Sequence, residues 1–166
     1  MFEIETFTAQ ADGTEDRIRL DALSAMGNGI SIWLTRRLAD RFLPILITAI
    51  EQAARQGLTR EIELAMAQQQ LRMEREANPV DKVQPAQGRA PWLCQTIHLE
   101  GRSDHLLWTL TDDAANSAIM VLPGDAPRAV LDIFLLMYRQ LEWGEVVFPA
   151  WLTEAGQSGD EPRLLN

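Results

Sequence analysis

Residues 17–23 read RIRLDAL, and residues 105–111, which lie 88 positions later, read HLLWTLT. In both stretches an apolar side chain recurs at every second position, which is the period of a β-strand with one buried face. The same shift places residues 30–34 (ISIWL) on residues 118–122 (AIMVL) without a gap. The sequence therefore predicts one structural unit that is present twice.

The first unit reads as three strands followed by one helix. Gly13 and the Asn28-Gly29 pair suit the two turns between the strands. Thr35 is a candidate N-cap for the helix, which we expect to run to about Gln56. The predicted strands are residues 2–8, 17–23 and 29–34.

The second unit repeats this order. Asp125 is a candidate N-cap with Pro127 in the first helical turn, and Gly144 follows the helix. The predicted strands are residues 92–99, 105–111 and 117–122. The predicted fold class is α+β: two fused β-β-β-α repeats whose antiparallel sheet or sheets are covered by the two long helices.

An insert separates the two units, and an acidic tail follows them. We predict a helix over residues 59–77 and an extended linker over residues 78–91, which contain three prolines. In the tail, Phe148, Trp151 and Leu152 are candidates for docking, whereas residues 156–166 are expected to be disordered. The predicted organisation is one globular domain with four parts: residues 1–57, 58–91, 92–144 and 145–166.

The charge of the chain is acidic and unevenly distributed. The formal net charge is −9, and residues 92–166 hold 11 acidic side chains against 4 arginines. Such a field repels a phosphate backbone, so nucleic acid is not the expected partner. The acidity is compatible with a basic partner and also with a plain role in solubility.

The single cysteine, Cys94, excludes an internal disulfide and any multi-cysteine zinc site. We interpret it as a small buried side chain, and we expect a reducing, cytoplasmic location. The N-terminus lacks the pattern of a secretory signal, and the longest apolar run is too short to span a bilayer. We therefore expect no membrane partner.

Both sheets carry apolar side chains on the face opposite the predicted core. An antiparallel sheet with one solvated face should not carry that much apolar surface. Such a patch indicates a contact with a second copy of the chain or with another protein. The alternative is that the tail or the middle helix covers it within the same chain. The predicted interface residues are Leu23, Trp33, Leu107, Ile119 and Val121.

Two groups of side chains are candidates for chemistry. His98 and His105 flank one turn, so a hairpin should bring them together as metal ligands or as an acid–base pair. The carboxylates of Asp104, Asp112 and Asp113 lie nearby, although aspartate is expected in turns for its local hydrogen bonds. No phosphate loop, serine elbow or zinc motif is present, and we expect no cofactor and assign no catalytic residue.

Arg36, Arg37 and Arg41 lie at the start of the first long helix, where a bound anion or acidic partner would offset their conflict with the helix dipole. In layout, and without a shared motif, the repeated unit resembles the Whirly and Pur-repeat families that bind single-stranded nucleic acid. The acidic charge departs from what such binding requires.

Three hypotheses follow from these patterns. The leading one is a non-enzymatic, cytoplasmic protein-interaction module that self-associates through the apolar outer sheet face. The second is a nucleic-acid or anion binder that uses the arginine cluster. The third is an enzyme that uses His98, His105 and the nearby carboxylates.

Overall fold

A computed structural model describes residues 1–154, and these form an α+β fold, as the alternating and helical periods predict. Its elements in chain order are β1 (Phe2–Ile4), β2 (Thr6–Asp12), β3 (Arg17–Leu23), β4 (Gly29–Thr35), α1 (Arg36–Ala53), α2 (Arg60–Ala77), β5 (Trp92–Leu93), β6 (Thr96–Gly101), β7 (His105–Thr111), β8 (Ser117–Pro123), α3 (Ala126–Gln140) and α4 (Ala150–Thr153).

The strands form two four-stranded sheets, and each contains one parallel pair. The first sheet has the order β2-β3-β4-β5, and the second has the order β1-β8-β7-β6. The pairs β4–β5 and β1–β8 are parallel, whereas the other four pairs are antiparallel. The prediction of purely antiparallel sheets is therefore wrong at one edge of each sheet.

These parallel edges arise because the first predicted strand of each unit is broken in two. The chain bends at Glu5, whose backbone N–H donates to the carbonyl of Leu23 at 2.8 Å. Before the bend β1 pairs with β8 of the second sheet, and after it β2 joins the first sheet. In the same way β5 joins the first sheet and β6 the second. Each unit thus contributes a short strand to the sheet of the other.

The two sheets share their strand register at a shift of 88 residues. Arg17 pairs with Thr35 in the first sheet, and His105 pairs with Pro123 in the second. The pairing of β2 with β3 differs from that of β6 with β7, since Thr6 pairs with Leu23 whereas Thr96 pairs with Thr111. The first strand is therefore displaced by two residues between the sheets. Descent from a duplicated unit remains a prediction.

The helices begin where short side chains or prolines favour them. The Thr35 hydroxyl accepts the N–H of Leu38 at 3.2 Å, which makes Thr35 the N-cap of α1. The helix ends at Ala53, three residues earlier than the pattern predicts. At α3, the carbonyl of Asp125 rather than its side chain accepts the first N–H bonds, and Pro127 lies in the first turn.

One aromatic cluster joins both sheets and the helices α1 and α3. The fully buried indole of Trp108 on β7 stacks on Phe42 of α1, with 5.5 Å between ring centroids. Phe7 of β2 and Phe134 of α3 meet the same indole edge-on at 5.7 and 6.3 Å. Its Nε1 has no hydrogen-bond partner within residues 1–154 and lies among these rings. The molecule therefore has a core shared by the two units.

The insert and the tail pack on this core. Leu64 and Gln68 of α2 are buried, and the Arg128 guanidinium donates to the Leu64 carbonyl at 3.5 Å. In the tail, Phe148, Trp151 and Leu152 are buried, as predicted from their docking pattern. The segment predicted to be disordered, residues 156–166, lies outside the described residues.

Candidate interaction surface

The outer face of the first sheet points away from the core and is polar at its centre. We call it the covered face. The strand register aligns its side chains in rows across β2, β3 and β4. Its members are Thr8, Gln10, Arg19, Asp21, Leu23, Ser31 and Trp33.

The linker that follows α2 lies over the covered face. The Val83 side chain is buried, and its backbone N–H donates to the Thr8 hydroxyl at 2.9 Å. The N–H of Ala86 donates to the Ser31 hydroxyl at 3.3 Å. A Cβ atom added at Gly29 would lie 3.4 Å from that of Ala86, so the linker is in contact with β4. Among the described residues, the segment that covers this face is thus the linker, rather than the tail or the middle helix that the sequence suggested.

A buried ion pair lies beneath the linker. The Asp21 carboxylate is fully buried and accepts the Arg19 Nε–H at 3.1 Å and the Ser31 hydroxyl at 2.7 Å. The Arg19 guanidinium lies 5.7 Å from the ring centroid of Trp33, where a cation–π contact is favourable. A buried carboxylate is tolerated only when it is paired and hydrogen-bonded. The cluster is therefore a satisfied structural feature of the covered face.

The outer face of the second sheet, which we call the open face, has a different composition. Val121 is 51% exposed, and Leu107 pairs directly opposite it. Within residues 1–154, no hydrogen bond joins a side chain of this face to the linker or to a helix. The face consists of Glu3, His98, Glu100, Leu107, Thr109, Ile119 and Val121.

The shift of 88 residues matches the two central strands of each face position by position. On β3 and β7, Arg19 and Asp21 correspond to Leu107 and Thr109. On β4 and β8, Ser31 and Trp33 correspond to Ile119 and Val121. The polar face is therefore hydrogen-bonded to the linker of its own chain, whereas within residues 1–154 no hydrogen bond joins the more apolar face to the linker or to a helix. Solvation alone favours the reverse arrangement.

Three of the five predicted interface residues, Leu107, Ile119 and Val121, lie together on the open face. The other two, Leu23 and Trp33, are half-buried on the covered face of the other sheet. The sequence placed all five on outer faces, but it did not separate the two sets. The polar neighbours Arg19, Asp21 and Ser31 could have done so, because they interrupt the apolar surface of the first sheet only.

A groove borders the open face on the side of β1. Its volume is about 1370 Å³, and it lies between the second sheet, the turn after β3 and residues 87–89 of the linker. Met26 is exposed on that turn. Apolar lining residues include Met1, Phe2, Met26, Ile119 and Val121. The apolar surface around Ile119 thus continues beyond the sheet.

The two histidines do not form a site. His98 pairs with Thr109 on β7, and His105 lies four residues before Thr109 on that strand. At the usual rise per residue this separates the two histidines by about 13 Å along the strand. The prediction that the hairpin brings the imidazoles together is therefore wrong. His105 Nδ1 lies 2.7 Å from the Asp104 carboxylate, and this hydrogen bond lowers the pKa of Asp104. In the described chain, no three His, Cys, Asp or Glu side chains could jointly hold a metal.

Asp112 holds the turn between β7 and β8. Its Oδ1 accepts the backbone N–H groups of Ala114, Ala115 and Asn116 at 2.8–3.0 Å. The hydrogen bond from the Asn116 amide and these backbone donors lower the pKa of Asp112 to about 2. Hydrogen bonds to the charged form explain this direction without a catalytic role.

The arginine cluster at the start of α1 is already partly engaged. The Arg36 guanidinium donates to the Trp143 carbonyl at 2.9 Å, and its Nε lies 3.6 Å from the Asp40 carboxylate. Arg37 and Arg41 are exposed. The Thr35 cap occupies one N–H of the helix start. Anion binding at this position stays a prediction.

Cys94 is buried between β5 and β6, and its Sγ lies 3.2 Å from the Thr96 carbonyl. Desolvation raises the pKa of the thiol to about 11. A thiol of this kind is protonated near neutral pH and is a poor nucleophile. The geometry therefore fits the predicted role as a small core side chain.

None of the helices in residues 1–154 combines the length and the apolar composition that crossing a bilayer requires. Neither a family model, nor a curated protein, nor a solved structure matches this chain. The interpretation of its function therefore rests on its own residues and geometry.

Proposed function

We propose that the protein is a non-enzymatic interaction module that associates with a second copy of itself through the open face. The observation that carries this proposal is the contrast between the two faces. The covered face is polar and lies beneath the linker, whereas the open face groups the exposed Val121 with the half-buried Leu107 and Ile119. When two such faces meet, the aliphatic side chains at their centres are removed from water, and no charged group at the centre has to be desolvated.

The size of the face sets the expected strength of association. The face is formed by β1 with three residues, β6 with six, and β7 and β8 with seven each, which at the usual strand spacing and rise cover roughly 400 Å². A stable interface usually buries about 800 Å² on each partner. We therefore expect a dimer that dissociates on dilution, and contacts along the groove beside β1 would strengthen it.

Another exposed apolar line lies on α2, at Ile62, Met66 and Met73. Ile62 and Met66 are four residues apart and adjacent on the helix surface, whereas the amide side chains of Gln69 and Gln70 separate them from Met73. Small groups of apolar residues of this kind are normal on protein surfaces. On the open face, by contrast, Leu107 pairs directly with Val121, and Ile119 lies next to them. The contiguous set is the better candidate for an interface.

The proposal includes a reducing, cytoplasmic location, which the single buried thiol of Cys94 supports. It assigns no catalytic step to the histidines, since the strand register separates them. It also assigns no role to nucleic acid, because the chain carries a net charge of −9.

Size-exclusion chromatography with light scattering over a range of concentrations tests the proposal. We expect the mass to rise from monomer towards dimer with concentration, and Val121→Glu to keep the protein monomeric. The matched control is Ile45→Glu on α1, because Ile45 is 54% exposed and Val121 is 51% exposed. A wild-type protein that stays monomeric, or a dimer that Val121→Glu leaves intact, would overturn the proposal. Circular dichroism confirms that both variants are folded.

A further inference from the structure

One row of the open face carries opposite chemical groups at its two ends. Glu3 on β1 pairs with Ile119 on β8, which pairs with Thr109 on β7, which pairs with His98 on β6. The row therefore runs straight across all four strands of the second sheet. A carboxylate stands at one end of it and an imidazole at the other, about 14 Å apart at the usual strand spacing.

The next row places aliphatic side chains at its centre. Val121 on β8 pairs with Leu107 on β7, and Leu107 pairs with Glu100 on β6. Glu100 already has a partner, since its carboxylate lies 2.9 Å from the Arg102 guanidinium. Within residues 1–154, Glu3 and His98 are the acidic and basic groups of the face without an ion-pair partner, and both lie in the first row.

Two symmetric arrangements bring two copies of the open face together with their strands aligned. If the two-fold axis lies across the strands at the first row, β1 faces β1 and β6 faces β6, which places Glu3 against Glu3. If the axis lies along the strands, between β7 and β8, then β1 faces β6. Glu3 of one copy then faces His98 of the other, and this contact occurs twice.

The second arrangement also matches the aliphatic side chains. Under it Val121 of one copy faces Leu107 of the other, and Ile119 faces Thr109. Glu3 and His98 therefore face each other at the rim, and at the centre Val121 faces Leu107 while Ile119 faces the methyl-bearing side chain of Thr109. Like charges placed opposite each other destabilise an interface, whereas complementary ones fix its register.

We propose that two copies pack with the two-fold axis along the strands, so that the Glu3 carboxylate of each copy accepts a hydrogen bond from the His98 imidazole of the other. This inference rests on the proposed self-association and adds its geometry. An imidazole N–H donates to a carboxylate in its neutral form and more strongly when it is protonated. Two side chains of the same sheet are neighbours of His98. They are Thr109, which pairs with it on β7, and Glu100, which lies two residues further along β6.

A charge-exchange experiment tests this arrangement. Glu3→Lys places an ammonium against the imidazole, and His98→Glu places a carboxylate against Glu3. Because each change affects two symmetric contacts, we expect each single variant to weaken the dimer by about ten-fold. The double variant Glu3→Lys with His98→Glu restores the pairing, and we expect its dissociation constant to return close to that of the wild type. Sedimentation velocity over a concentration series gives these constants.

The controls separate this arrangement of the dimer from the proposal that the protein self-associates. Glu61→Lys on α2 makes the same change of charge at an exposed position away from the open face and should leave the dimer unchanged. If Val121→Glu abolishes the dimer but the double variant is no tighter than the single variants, this arrangement is wrong and self-association stands. If the wild type does not associate at any concentration, both ideas are overturned together.

Discussion

The covered face and the open face share the register of their two central strands, β3 with β4 and β7 with β8, and carry different side chains on it. Beneath the linker, the first sheet holds a fully buried carboxylate, Asp21, with an arginine and a serine as its partners. At the corresponding position the second sheet holds Thr109, with aliphatic side chains around it. The same arrangement of backbone strands therefore carries two different surfaces, because polar side chains on one sheet hydrogen-bond a segment of the same chain and the other sheet holds aliphatic side chains at the matching positions.

The linker explains why polar residues belong on the covered face. An extended segment presents N–H groups that need acceptors when they are buried. The Thr8 and Ser31 hydroxyls supply these acceptors to Val83 and Ala86. On the open face the positions with the same strand pairing hold His98, opposite Thr109, and Ile119. A segment bound in the same way would therefore lose at least one hydrogen-bond acceptor. The open face is therefore suited to side-chain packing rather than to a copy of the linker.

The largest effect should come from the buried ion pair of the covered face. Asp21→Ala leaves the Arg19 guanidinium partly buried without its carboxylate, and breaking such a pair costs about 3 kcal/mol of stability. Thr109→Ala at the matching position of the open face should change stability by about 0.5 kcal/mol or less. Urea unfolding of both variants measures this difference. Equal losses at the two positions would remove the distinction between the faces.

The next largest effect should come from the attachment of the linker. Val83 is 5% exposed, whereas Val80 in the same linker is 81% exposed. Val83→Ala removes buried methyl groups and should cost about 1.5 kcal/mol. Val80→Ala should leave the free energy of unfolding almost unchanged. If both substitutions are neutral in urea unfolding, the linker does not stabilise the covered face.

The smallest effect concerns the turns that precede β4 and β8. Ser24 and Asp112 lie 88 residues apart, and each donates its backbone N–H to an asparagine carbonyl, at 2.9 and 3.1 Å. Only Asp112 titrates. Its pKa in the folded protein, about 2, is below the ordinary value. Its stabilising effect is therefore present above about pH 4 and is lost as the pH falls towards 2.

Asp112→Ser should accordingly reduce stability near neutral pH and leave it unchanged at the acid end. Thermal unfolding across this pH range measures the effect. The control is Asp113→Ser, because Asp113 is an exposed neighbour that accepts none of the hydrogen bonds of this turn. The explanation fails if Asp112→Ser and the wild type lose stability in parallel as the pH falls.

The sequence predicted the strands, the long helices and the α+β class because these follow from local periodicity. It missed the exchange of β1 and β5 between the sheets, because a bend at Glu5 leaves no signal in an alternating pattern. It also missed the linker over Asp21, since a contact made by a segment without periodicity cannot be read from spacing. The positions of His98 and His105 depended on hairpin register, which the turn at Ser103 and Asp104 sets.

Methyl NMR on isoleucine-labelled protein tests the central claim most directly. Ile119 lies on the open face, and Ile45 is an exposed isoleucine on α1 that serves as an internal control. We predict that the Ile119 methyl resonances shift or broaden as the protein concentration rises, while those of Ile45 stay unchanged. If the Ile119 resonances are independent of concentration, or if only those of Ile45 respond, the open face is not the surface of self-association.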